Sequence, residues 1–154
     1  MHHRGPLGSG LLIIAAAVLA GCSAILQASP APTPMDFPGI AGELANRGIT
    51  LDRFTSGDDG CHDSSLTATA IGFDASGLGV TTPIRLRIYI FRTGDTFERR
   101  RPDVDPCAAV WAQDPATLEF IDAKPYVLVG QGPWPAEFKA AIRDALTAAA
   151  GNGG

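Results

Sequence analysis

Residues 84–92 read IRLRIYIFR, and this stretch decides the fold. Ile84, Leu86, Ile88 and Ile90 fall on one side of an extended chain, and Arg85, Arg87, Tyr89 and Phe91 on the other. Successive strand residues point to opposite faces, so the alternation predicts a strand with one face in the core and the other at least partly wet. A parallel sheet covered on both sides would give a continuous apolar run instead.

Working outward, residues 117–121 and 126–129 are expected to be paired strands, separated by Asp122-Ala-Lys-Pro125. Residues 135–149 are expected to form a helix, with Phe138, Ala141, Ile142, Ala145 and Leu146 as its apolar stripe. On the other side of the key strand, residues 75–83 read as a Gly-rich turn region and residues 66–74 as a strand. Residues 56–65 (SGDDGCHDSS) form a polar loop, and residues 49–55 another strand. Phe37, Ile40, Ala41 and Leu44 have helical spacing, with Asp36 placed to cap and Gly48 to stop that helix. Between 92 and 117, one or two helical turns over 96–101 are expected to end at Pro102. A short helix over 107–113 should then open at Asp105-Pro106. Strands joined by turns, with helices at both ends, predict an α+β fold. It is a two-layer sandwich in which a mainly antiparallel sheet of about five strands carries the N- and C-terminal helices on its isoleucine face.

The chain has 154 residues, 12 Lys plus Arg against 16 Asp plus Glu, and three cysteines. Residues 1–21 contain Arg4 as their only charge, so the remainder has 11 basic and 16 acidic residues, net −5. That balance argues against a nucleic-acid binder, which needs a basic face for phosphates, and against polybasic attachment to anionic lipid. The apolar run 11–20 (LLIIAAAVLA) follows Arg4 and precedes Gly21-Cys22. A positive start, a short apolar stretch and small residues before a cut are the pattern of a secretory signal peptide, and the run is too short to span a bilayer.

The ending Leu19-Ala20-Gly21-Cys22 resembles the lipobox of bacterial lipoproteins. The resemblance covers residues 1–22 and implies that Cys22 receives a diacylglyceryl group and further acyl chains such as palmitate, becoming the new N-terminus. It implies an exported protein held at the cell membrane with its domain on the extracytoplasmic side. Residues 22–36 are then the lipidated cysteine and a tether, in which Pro30, Pro32 and Pro34 favour an extended chain reaching ~40 Å. Residues 37–150 are expected to be a single domain and 151–154 a disordered tail. With Cys22 lipidated, Cys61 and Cys107 are left to pair as one disulfide in an oxidising compartment.

The face made by Arg85, Arg87, Tyr89 and Phe91 offers guanidinium and aromatic groups side by side, a combination suited to anionic or planar ligands and to interfaces. Trp134, between Pro133 and Pro135, is a second candidate contact, or else packs beside Phe138. Asp58, Asp59, His62 and Asp63 are weak candidates for a metal. Their spacing matches neither an EF-hand loop nor a zinc site, and the loop is explained equally by delivery of Cys61 to its partner. Arg99-Arg100-Arg101 reads as a solvated helix end. No nucleophile elbow, Ser-x-x-Lys or Walker ending occurs, and no cofactor is implied. The expected function is therefore non-catalytic binding of a protein partner, a cell-envelope component or a small ligand. The alternative is a small hydrolase or metal-dependent enzyme that uses residues 58–63 with His62 as base or ligand.

Overall fold

A computed structural model describes residues 36–151. The leader, Cys22, the tether and residues 152–154 lie outside the described residues. The strand around residues 84–92 is β3 (Val80–Ile90), the centre of a five-stranded sheet. Its companions are β1 (Thr50–Ser56), β2 (Ala70–Gly77), β4 (Leu118–Ala123) and β5 (Tyr126–Gln131). They lie in the order β1-β2-β3-β5-β4, and every neighbouring pair is antiparallel. The architecture is the α+β sandwich with an open antiparallel sheet that the alternation predicts.

Helices α1 (Phe37–Asn46) and α4 (Ala136–Ala150) pack on the isoleucine face. Leu86, Ile88 and Ile90 meet Ile71, Phe73 and Leu128 from the neighbouring strands, and Ile40, Leu44, Phe138, Ile142 and Leu146 close the layer from above. Each of these side chains is buried, and together they contribute the largest apolar transfer term in the domain. Asp36 has helical backbone angles and makes no side-chain cap. Among the described residues no helix is long and apolar enough to cross a membrane.

The opposite face is half covered, and here the structure corrects the local reading. One helix, α3 (Gly94–Trp111), runs through Pro102 and Pro106 where two short ones were expected. Thr93 caps it by accepting from the Thr96 N–H. Both prolines are exposed, so the carbonyls they leave without a helical donor, on Glu98 and Pro102, stand on the wet side of the helix. Asp105 caps nothing; it pairs with Arg101, which also binds Asp122 on β4. Arg100 is similarly engaged with Asp103 and Asp63. The buried stripe of α3, Phe97, Val104, Cys107 and Ala108, lies on Tyr89, Phe91, Val127 and Val129.

Two other boundaries move. Leu66 belongs to a helical turn, α2 (Ser64–Thr67), because Asp63 accepts from the Ser65 N–H and starts it. The turn region shrinks to Leu78-Gly79, both at positive φ (49° and 89°), as a two-residue hairpin between Gly77 and Val80 requires.

Candidate functional site

Near the C-terminal end of α3, where Trp111 reaches the sheet, β2 and β3 place Asp74 opposite Arg85 and Gly72 opposite Arg87. The Asp58 side chain drops onto this floor. It accepts from Arg85 Nη2 and Arg87 Nε, and Arg87 Nη2 stands 2.9 Å from the same carboxylate. Arg85 Nη1 also reaches Asp74 at 3.3 Å and the carbonyl of Arg53 at 2.9 Å, while the Arg53 guanidinium pairs with Asp74 from the exposed side. Three arginines thus share two aspartates, leaving one net positive charge.

Two glycines make this possible. A Cβ at Gly72 would run into Asp58 Oδ2 and Arg85 Nη2, so the ion pair rests directly on the backbone. Gly60, at φ +81°, lies against the edge of the Trp111 indole and Arg87 Nε; a side chain there would be strained as well as blocked. The Arg87 guanidinium stacks 4.4 Å from the centre of the Trp111 ring, an arrangement for which the planar, weakly hydrated guanidinium is well suited. Burial raises the Asp58 pKa, but hydrogen bonds and charge from Arg85 and Arg87 outweigh it and hold the carboxyl below the usual carboxylate value.

The loop ahead of α2 is fixed by its own carboxylates. Asp59 is buried and accepts from the backbone N–H groups of Cys61 and His62 and from the Thr67 hydroxyl. Its burial raises its pKa; these bonds more than offset that and lower it. Asp63 caps α2, and His62 is exposed at φ +59°. Asp58, Asp59 and Asp63 therefore serve three different partners. Among the described residues no group of three or more His, Cys, Asp or Glu side chains could hold a metal ion.

Cys61 and Cys107 are joined as a disulfide, tying this loop to α3. Trp111 lies four residues beyond Cys107, on the same face of the helix, so the staple and the indole address the loop together.

Of the four residues proposed for a recognition face, the structure brings Arg85 and Arg87 together at a surface. It places Tyr89 and Phe91 under α3, fully buried and unable to touch a ligand. The alternation identified their face, while the burial comes from α3, whose full length the prolines concealed. Trp134 is buried in the other core, donates its indole N–H to the Gln131 carbonyl and packs edge-on to Phe138 at 5.9 Å. Asp74, Arg53 and Trp111 were missed as site residues, and Asp58 was singled out only as a metal candidate. The available signal was Gly72 inside an apolar strand, which marks a close approach by another group.

The Tyr89 hydroxyl donates to the Asp59 carbonyl at 2.8 Å and lies 3.6 Å from Cys107 Sγ. Burial, only partly opposed by the charge of Arg87, pushes its pKa up from 10.0 to about 12. The unfolded chain therefore loses this proton first. The contribution is intact below pH 10 and is lost as pH rises towards about 12, worth about 2–3 kcal/mol. Urea unfolding between pH 9 and about 12 should show this falling limb, and Tyr89→Phe should flatten most of it. A residual slope is expected from Tyr126, whose pKa is also raised by burial and by Asp36. An equal alkaline limb in the variant would assign it elsewhere.

Comparison with protein-family models, with curated proteins and with solved structures finds no match to this chain.

Proposed function

We propose that this protein is a lipid-anchored extracytoplasmic binding module that presents a small disulfide-stapled domain at a cell envelope. The single observation that carries the binding reading is the Arg85–Asp58–Arg87 cluster. It is a preorganised cationic floor whose arginines keep part of their surface exposed on the sheet face. Preorganised guanidinium groups bind anionic partners with little loss of side-chain entropy. Export is supported by the Cys61–Cys107 disulfide, since such bonds persist in oxidising compartments. The anchor is supported by the Leu19-Ala20-Gly21-Cys22 motif. The partner is a protein, an envelope component or a small ligand, met at a distance the tether allows.

Cell fractionation tests the anchor. The wild-type chain is expected in the membrane pellet, released by detergent and not by salt. Cys22→Ser should release it into the soluble fraction or leave it unprocessed, because the acyl chains supply the attachment. Normal lipid-modified product from that variant would end the anchoring proposal. Cross-linking in intact cells, compared between wild type and Arg87→Lys, tests the binding half separately.

A further inference from the structure

β3 is longer than its partner on one side. It pairs with β5 only from Leu86 to Ile90, so among the described residues no strand lies beside residues 80–84 there. After Gln131 the chain turns away through Gly132, Pro133 and Trp134, and Pro135 returns to lie against the hairpin tip at Gly79. Between this loop and the free half of β3 opens a groove of about 670 Å³, with Arg85, Arg87 and Trp111 at its sheet-face end. Its volume is that of a small-molecule site. The lining contains both arginines and no carboxylate.

We infer that this groove binds a small ring-bearing monocarboxylate, its carboxylate on Arg87 and Arg85 and its ring against Trp111 and the Pro133–Pro135 wall. This rests on the binding-module reading and names its ligand class.

Three observations carry it. Asp58 occupies the Nε–Nη2 edge of Arg87, and the guanidinium is planar and rigid. The donors of Nη1 are therefore directed to the other edge, where no acceptor among the described residues meets them. The cluster has one net positive charge, so a single carboxylate neutralises it, whereas a dianionic phosphate would leave an excess negative charge on a partly buried floor. The third concerns what the groove refuses. The Ile90 N–H donates to Thr69 on the β2 side and the Phe91 N–H to Pro125 on the β5 side, and no bulge intervenes between residues 84 and 90. Odd-numbered residues from Arg85 onward therefore address the β5 side. Between Val80 and Ile84 the register against β2 is irregular, and Pro83 in that stretch has no N–H. An irregular edge that carries a proline is a poor template for an added strand, so the free half of β3 is blunted against strand addition.

Both tryptophans of the chain, Trp111 and Trp134, line the groove, so intrinsic fluorescence reports on it without a label. The full chain in non-ionic detergent would be titrated with glucuronate and benzoate, and with glucose and benzamide as neutral counterparts. Inorganic phosphate and a blocked, uncharged hexapeptide complete the set. A saturable change is expected with at least one acid, at least about tenfold tighter than its neutral counterpart and about tenfold weaker in Arg87→Lys. Which acid responds separates a sugar acid from an aromatic acid. The acid-to-neutral comparison uses wild-type protein alone, so it stands even where the variant folds poorly. No saturable change with either acid, or equal affinity for the neutral counterparts, overturns the inference. Binding of phosphate or of the hexapeptide alone also overturns it while leaving the binding module intact.

Discussion

Replacing Cys61 and Cys107 together by alanine is expected to lower the unfolding free energy by about 4 kcal/mol. The bond closes a loop of sequence separation 46, and the chain-entropy relation gives that figure for the freedom returned to the unfolded state. For a domain with a total stability of roughly 5–15 kcal/mol this is a large fraction, equivalent to a fall in Tm of about 15 °C. The native state is affected as well. The bond fixes the 58–63 loop against α3, and that loop carries Asp58 to the arginines and Gly60 to Trp111. Reduction should therefore change tryptophan fluorescence at temperatures well below the melt, and not only shift the transition. Calorimetry of the oxidised and reduced chain, with free thiols counted, is the check. An unchanged melt in a sample whose thiols are free would remove the staple from the account.

The residues that were legible from sequence are those whose environment is set by their own strand or helix. Ile84 to Ile90 alternate because the strand does, and the stripe of α4 repeats because the helix does; both reach the core as expected. What escaped was set by distant partners. Leu66 looks like a strand residue until Asp63 caps the turn beneath it. Pro102 and Pro106 look like helix ends, yet the helix continues because its inward stripe is anchored on Tyr89, Phe91 and Val129 while the unbonded carbonyls face water. The candidate site divides in the same way. Arg85 and Arg87 were visible as cations on an exposed-looking face. Their organising partner Asp58 lies 27 and 29 residues away, in a loop whose composition suggested a turn or a metal site and not a partner for the arginines. Three neighbouring aspartates suggested a shared site, and no local rule showed that each is directed to a different element.

Asp58→Asn is expected to cost about 2 kcal/mol at neutral pH, because it removes the one carboxylate shared by two partly buried guanidinium groups. The figure is below that for a fully buried pair, since 18% of the Asp58 side chain and 32% and 13% of Arg85 and Arg87 remain exposed, and water screens the rest. Its pH dependence provides an internal control. The Asp58 carboxyl titrates below its unfolded value of 3.8, so its contribution is complete above that value and is lost as pH falls through the lower native one. Wild type and variant should therefore differ at pH 7 and converge in acid below about pH 4. A difference that persisted unchanged at low pH would point to packing over Gly72 as its cause. The same substitution raises the net charge of the cluster from one to two. If charge balance selects the ligand, Asp58→Asn should begin to bind inorganic phosphate, which wild type refuses, while its preference for a monocarboxylate weakens. Equal phosphate affinity in the two proteins would mean that the shape of the groove, and not the charge held by Asp58, makes the selection.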